Sequence, residues 1–375
     1  MAEPSDKKKN QHFVPQLLLR RFAVPGTRQL AIAVFDADKR TTIPQASIKH
    51  QCARSFFYGR DGRVENRLGK LETAAGAAIG ATIRNEEPPA VGTQPWADLI
   101  KYFVVQHGRT PSAASAYTQQ IKSMMNEARK FARSVGDEIA FEDIAQKMVP
   151  RHPELENLGV TAELGPVISD LEDLLLINET RFEFAVNDLG VLTHNQWATG
   201  LKGIGTNGLG CPGMILLMPL SSRHLLIKYD PGVYRIRGAA RRVIRIREES
   251  QVKSLNYIQI MFAERNLYFS GDKHTREGLE KLAQGAIRAP RASIVKAQRL
   301  TDRTGTREVI HSYSERPKYL LSLDWLQVHR RMAAIPLHAR AQQLRPAAKA
   351  ALDFMEGGPE PSDPALQRTI FRRVK

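Results

Sequence analysis

The stretch MILLMPLSSRHLLIKY, residues 214–229, is the part of the sequence that indicates the fold class most directly. It contains two apolar runs, residues 214–220 and 225–229, and the polar residues 221–223 between them are typical of a turn. Each run is far shorter than a membrane-spanning helix, and two such runs around a short turn favour antiparallel pairing. We therefore expect a β-hairpin here.

Outward from this hairpin, the apolar spacing predicts both strands and helices. A period of two or a β-branched run predicts strands over residues 29–36, 54–58, 182–186 and 267–270, and at 243–247. Helical spacing predicts helices over residues 64–84, 96–106, 110–135, 141–149, 167–178 and 248–266. The expected fold class is α+β: a mixed, largely antiparallel sheet covered by a helical midsection, with a C-terminal extension.

Composition shifts along the chain predict its domain organisation. Residues 1–9 carry three consecutive lysines and are expected to form a disordered basic arm. Residues 10–290 form the expected main α+β domain. Residues 286–306 are rich in Arg, Ala, Pro, Thr and Gly, so residues 291–375 are expected to be a linker and C-terminal extension, of which the apolar segment 319–332 packs on the domain.

The charge of the chain points to an anionic partner. It has 55 Lys+Arg against 39 Asp+Glu among 375 residues, a formal net charge of +16, which favours nucleic acid as a partner.

Two cysteines, Cys52 and Cys211, exclude a disulfide-rich scaffold and multi-cysteine metal sites. Neither a signal peptide nor a membrane span is recognisable, so a cytoplasmic location is expected; the sequence does not identify protein partners.

The most distinctive motif is NQHFVPQLLLRRF, residues 10–22. It resembles the opening motif of a mostly bacterial family of uncharacterised proteins, the domain-of-unknown-function family numbered 4238. Further similar features follow in the same order over roughly residues 10–270: Phe56–Tyr58, Leu71-Glu72, Gln106 before Arg109-Thr110-Pro111, Asn187-Asp188, Pro219-Leu220-Ser221 and Asn256. The resemblance implies no particular activity. Where the family tends to have Asp followed closely by Pro, this chain has Asp188-Leu189-Gly190.

Four residues of these motifs suit phosphodiester chemistry. His12 is a candidate general base or metal ligand, Glu72 and Asp188 are candidate ligands for Mg²⁺ or Mn²⁺, and Arg109 is a candidate phosphate clamp. Together they suggest a metal-dependent phosphodiesterase, a nuclease-like enzyme. Three of them also have a structural interpretation: His12 holds a turn, Arg109 with its neighbours caps a helix, and Asp188 accepts hydrogen bonds from backbone amides. The apolar side chains of the motif, Phe13, Val14, Leu17, Leu18 and Phe22, are expected to anchor it on the domain.

A second candidate surface lies in residues 234–247, which contain six arginines: Arg235, Arg237, Arg241, Arg242, Arg245 and Arg247. If residues 243–247 form a strand, Arg245 and Arg247 share one face with Val243 and can contact successive phosphates. The alternative is a solvated edge strand whose charges prevent aggregation. This surface carries the second hypothesis for function, a non-catalytic nucleic-acid-binding or protein-interaction module.

Residues 203–208 match the pattern G-x-G-x-x-G. A dinucleotide-binding fingerprint must open a helix, whereas here Gly210, Cys211, Pro212 and Gly213 precede an apolar strand. We interpret the glycines as a loop and expect no nucleotide cofactor.

Overall fold

The computed structural model has a mixed five-stranded sheet at its centre, with helices packed on both faces. It describes residues 9–136, 142, 145, 147–201, 208–289, 293–302, 305–314, 318–340 and 343–359. Several largely antiparallel sheets and a helical midsection make the fold α+β, as predicted.

In chain order the strands are β1 (Asn10–His12), β2 (Ala31–Asp36), β3 (Thr41–Ser47), β4 (Ala53–Ser55), β5 (Glu172–Asn178), β6 (Val186–Asn187), β7 (Leu192–His194), β8 (Ile215–Ser221), β9 (His224–Tyr229), β10 (Tyr234–Ile236), β11 (Val243–Ile246), β12 (Asn266–Phe269), β13 (Ser293–Asp302), β14 (Gly305–Ser314) and β15 (Leu326–Val328). The α-helices are α1 (Gln16–Leu19), α2 (Arg63–Asn85), α3 (Gln94–Gly108), α4 (Pro111–Val135), α5 (Pro153–Ala162), α6 (Glu249–Phe262), α7 (Lys273–Gln284), α8 (Arg330–Ala333) and α9 (Pro346–Met355). Single 3₁₀ turns lie at Arg20–Phe22, Ile48–His50, Gly165–Ile168 and Leu337–Arg340.

The predicted hairpin is confirmed at the centre of the molecule. Strands β8 and β9 pair antiparallel, and the five-stranded sheet has the order β11-β5-β9-β8-β7. Along β8, Ile215 and Leu217 pack in one core while Leu216 and Met218 pack in the core on the opposite face. Because both faces are covered, the strand is apolar at nearly every position instead of alternating.

The predicted helix over residues 167–178 is wrong. Residues Glu172–Asn178 form strand β5, which pairs antiparallel with β9 and parallel with β11. Its apolar run is buried on both faces, and such a short run has no periodicity that separates a central strand from a buried helix. A single 3₁₀ turn at Gly165–Ile168 precedes it.

A second sheet, of order β3-β2-β12-β6, is antiparallel throughout. It includes strands close to those predicted at residues 29–36 and 267–270. Phe35 and Leu267 face a core that they share with Val252, Leu255 and Ile258 of α6. The strand expected over residues 182–186 is much shorter, because only Val186–Asn187 pairs, with β12.

Helices α2 and α3 cover the other face of the central sheet, and α4 and α5 extend the helical midsection. The bounds of α2, α3 and α4 agree with the helices predicted over residues 64–84, 96–106 and 110–135, whereas α5 was not predicted. Of the helix predicted over residues 141–149, the structure describes residues 142, 145 and 147–149, of which 142, 145, 147 and 148 are helical. Among the described helices, none combines the length and apolar character that crossing a membrane requires.

Residues beyond 290 contribute side chains to both cores. Leu321, Leu323 and Trp325 are buried in the core that contains α6, and Ala348 and Ala351 of α9 are buried against the α2–α3 face. The packing expected of segment 319–332 is therefore present. The boundary near residue 290 stays a prediction. The basic arm, except for Lys9, and the final residues 360–375 lie outside the described residues.

Candidate functional site

The N-terminal motif, residues 10–22, is anchored on the domain, as predicted. Its strand β1 pairs antiparallel with β4, with His12 opposite Ala53. The motif buries Val14, Leu18, Leu19 and Phe22 in a small core against β2 and β12. Its position in the fold is therefore fixed by apolar packing as well as by hydrogen bonds.

The guanidinium of Arg109 brings together three of the four residues predicted as catalytic. Its Nη2 donates to the backbone carbonyl of His12 at 2.6 Å and to Glu72 Oε1 at 2.7 Å. Arg109 is 1% exposed, and the hydroxyl of Tyr58 donates to its carbonyl at 3.0 Å. Burial opposes the charge, but the neighbouring Tyr58 and Glu72 raise the pKa of Arg109, so the guanidinium stays protonated. Arg109 thus ties the motif to α2 and to the end of α3.

Two buried glutamines strengthen the same seam between the motif and the helices. Gln11 Oε1 accepts from the backbone amide of Tyr58 at 2.6 Å. Gln106 Nε2 donates to the carbonyls of Phe13 and Leu189, both at 2.9 Å. Since buried amides are costly to leave unpaired, these bonds fix the position of the motif.

The imidazole of His12 is half-buried and neutral near pH 7. Burial is the largest influence and lowers its pKa, while Glu72 acts in the opposite direction. Its Nε2 lies 3.2 Å from Nε2 of Gln16, whose amide oxygen accepts from Arg20 at 3.0 Å. With Gln16 oriented in this way, Nε2 of His12 is the hydrogen-bond acceptor. The ring is therefore part of the hydrogen-bond network that holds the motif.

Asp188 has a different set of partners. Its carboxylate accepts from the backbone amides of Glu264 at 2.7 Å, Arg265 at 2.7 Å and Asn266 at 2.9 Å. These bonds hold the turn between α6 and β12. They correspond to the structural interpretation of Asp188, in which a carboxylate accepts from amides at a strand end.

The Mg²⁺ or Mn²⁺ site predicted from Glu72 and Asp188 stays a prediction. Glu72 is paired with Arg109, and both oxygens of Asp188 accept backbone hydrogen bonds. Within the ranges of the chain that the structure describes, no three His, Cys, Asp or Glu side chains converge as metal ligands would.

Asp188 predicts a pH dependence of stability. Burial, only partly offset by the amide hydrogen bonds, raises the pKa of Asp188 from 3.8 to about 6. The native state therefore binds more protons than the unfolded state between these values. Stability relative to an Asp188→Asn variant is expected to fall by about 3 kcal/mol as the pH rises from about 4 to about 6, and then to level off. Urea unfolding of the wild type and of Asp188→Asn across this pH range measures the difference in their free energies of unfolding. A difference that does not change with pH would contradict the prediction.

A second group of residues along the motif lies outside the predicted site. Gly76, Gly80 and Arg84 follow at intervals of four on α2, so they lie on one helix face. The motif packs on this face: side-chain atoms of Leu17 and Arg21 lie 3.7 Å and 3.6 Å from the positions that a β-carbon would take on Gly76 and Gly80. Two glycines spaced by four inside a predicted helix were the available signal for this close approach.

The predicted arginine strand is the outer strand of the central sheet. Val243–Ile246 forms β11, which pairs with β5 and has no second neighbouring strand among the residues that the structure describes. Ile244 and Ile246 are buried while Arg245 is exposed. The predicted division of faces is therefore confirmed within β11, whereas Arg247 follows the end of the strand and is also exposed. An open cleft of about 570 Å³ lies beside this strand, and its lining includes Arg241, Arg245 and Arg247 together with Glu86 and Glu87.

The six arginines differ in their partners. Arg245 pairs with Glu86 and, at 2.9 Å, with Glu179, which also accepts from Arg247 at 3.0 Å. Arg242 donates to the carbonyls of Pro88 and Pro89 at 2.8 Å and 3.0 Å and so fixes the loop after α2. Arg235 contacts the side-chain oxygen of Gln327 at 3.1 Å. Within the described ranges, Arg237 and Arg241 are exposed and have no carboxylate within ion-pair distance.

Comparison with known proteins identifies the family. No curated protein and no solved structure matches the chain. A family model described as a protein of unknown function, DUF4238, matches residues 10–273. This range begins at the motif that Arg109 holds and ends just after the second sheet. The chain therefore belongs to the DUF4238 family.

Proposed function

We propose that this protein binds nucleic acid through phosphate contacts at the outer edge of the central sheet. The observation that supports this most directly is the open cleft beside β11, which three exposed arginines line: Arg241, Arg245 and Arg247. Arginine guanidinium groups suit phosphate oxygens because their donors are planar and paired. The net charge of +16 adds a long-range attraction to polyanions.

The acidic partner that Arg245 and Arg247 share, Glu179, does not exclude this function. The hydrogen bonds from Arg247 and Arg245 lower the pKa of Glu179, so it is ionised and neutralises part of the surface. These ion pairs are exposed, and exposed pairs contribute little to stability. A phosphate can therefore replace the carboxylate as the partner of Arg245 or Arg247 at small cost.

Two sets of substitutions are expected to change affinity in opposite directions. Glu179→Gln frees Arg247 and leaves Arg245 paired with Glu86 alone, so it should tighten binding several-fold. Replacing both arginines by Gln should weaken binding for all sequences alike. Three phosphate contacts predict that log affinity falls with log salt at a slope of about −3, and the double variant should flatten this slope by about two units. Fluorescence anisotropy with labelled duplex DNA and single-stranded RNA over a salt series measures both effects.

An exposed arginine that does not line the cleft provides the matched control. Arg151→Gln removes one positive charge outside the cleft and should leave the salt dependence of the affinity unchanged. If Glu179→Gln and the double arginine variant both bind like the wild type, the arginines protect the strand edge and the proposal fails.

The same samples test whether the protein hydrolyses phosphodiesters. Adding Mg²⁺ or Mn²⁺ to the labelled DNA and RNA, with His12→Ala as the comparison, would reveal cleavage by a nuclease-like site. Intact substrates in every reaction would leave the non-catalytic binding function as the proposal. A cytoplasmic location is part of this proposal, since the two cysteines, Cys52 and Cys211, are not joined in a disulfide and nucleic acid is available in the cytoplasm.

A further inference from the structure

Two arginines that belong to different segments converge over Gly80. In the structure, Arg84 Nη1 lies 3.2 Å and Arg21 Nη2 lies 3.6 Å from the position that a β-carbon would occupy on Gly80. Arg84 is in the last turn of α2, and Arg21 is in the 3₁₀ turn Arg20–Phe22 of the N-terminal motif. The absence of a side chain at Gly80 allows the two cationic groups to share this space.

The two charges are poorly compensated by the protein. Among the residues that the structure describes, neither Arg21 nor Arg84 has a carboxylate within ion-pair distance, and Glu86 is paired with Arg245 instead. Burial and then the charge of Arg84 lower the pKa of Arg21. Arg21 makes a long hydrogen bond of 3.4 Å to the Gly76 carbonyl, and its buried Nε has no partner within the described ranges.

The core between α2 and α3 contains a further unsatisfied donor. Tyr102 of α3 is completely buried, burial raises its pKa, and its hydroxyl has no hydrogen-bond partner among the described residues. A buried donor without a partner costs free energy unless a ligand or water satisfies it. Two like charges, one of them with an unpartnered guanidinium nitrogen, thus occur together over Gly80.

We propose that Arg21 and Arg84 form a binding site for a phosphate group. A phosphate oxyanion would separate and neutralise the two guanidinium groups and accept hydrogen bonds from both. Because Arg84 is exposed and Arg21 is half-buried, the group can enter from solvent without rearrangement of the core. This inference concerns residues outside the β11 cleft and does not depend on nucleic-acid binding there.

Thermal unfolding in phosphate, against chloride at equal ionic strength, tests the site. Phosphate should raise the melting temperature of the wild type above the chloride value, since a ligand that binds only the native state stabilises it. Arg84→Gln removes a repulsion, so its melting temperature in chloride should be equal to or higher than that of the wild type. Its dissociation constant for inorganic phosphate should rise about tenfold, the loss expected for a charge-assisted hydrogen bond.

Arg20→Gln is the matched control, because Arg20 is exposed and bonds to Gln16 away from this pair. It should keep the wild-type response to phosphate. If a short oligonucleotide without terminal phosphates competes with inorganic phosphate for the site, the ligand is a phosphodiester. If only a nucleoside monophosphate competes with inorganic phosphate, the ligand is a phosphomonoester. Equal responses of wild type and Arg84→Gln to phosphate, or no response beyond chloride in the wild type, would overturn the proposal.

Discussion

Replacing Lys228 by methionine is expected to lower the free energy of unfolding by about 3–5 kcal/mol, because it leaves a buried carboxylate without its counter-charge. Lys228 on β9 lies directly opposite Asp173 on β5, with 2.7 Å between Nζ and Oδ1. The two side chains are 0% and 2% exposed, beneath the rings of Trp96 and Phe103 at 5.9 Å and 5.6 Å from the ammonium group. Urea unfolding of the variant at neutral pH measures the loss.

A double variant separates the charge from the packing. Lys228→Met combined with Asp173→Leu removes both buried charges and should recover most of the stability, because apolar replacements of a buried pair are often neutral or stabilising. If the double variant is as unstable as the single one, loss of packing at position 228 is the cause. A single variant within about 1 kcal/mol of the wild type would show that the pair is not an important element of the core.

The sequence predicted those elements whose local pattern matches their final environment. The hairpin of β8 and β9 and the helices α2 and α3 were predictable because turn residues, apolar spacing and burial agree. Strand β5 was not, since burial on both faces removes the alternation that normally identifies a strand. The helix predicted over residues 167–178 also hides the Lys228–Asp173 pair. It places Asp173 on a helix, and a helix has no partner residue across a sheet.

The candidate site was predictable only where a motif marked its members. The resemblance to the family singled out the residues His12, Glu72 and Arg109, and the structure brings them together. It also singled out Asp188, whose carboxylate instead binds the turn before β12. The approach of Arg21 to Arg84 depends on how the motif crosses α2, a tertiary arrangement that no local spacing encodes.

Replacing Arg109 by methionine is the second change with a large expected effect. It should lower the free energy of unfolding by about 3–5 kcal/mol, because it removes the charge partner of Glu72 and the donor to the His12 carbonyl from a buried position. Urea unfolding measures this loss. Hydrogen exchange should also accelerate at residues 11–22, since the motif loses its main polar tether to α2 and α3.

The exchange measurement distinguishes a tether from a general loss of packing. If Arg109 acts as a tether, amides of the motif lose protection to a greater extent than those of β8 and β9, which pack in other cores. Arg20→Met, at an exposed position of the same motif, should change stability by less than about 0.5 kcal/mol and leave exchange unaltered. If Arg109→Met kept the motif protected, the apolar contacts of Val14, Leu18 and Phe22 would be sufficient to hold it, and Arg109 would then be free for a role in binding.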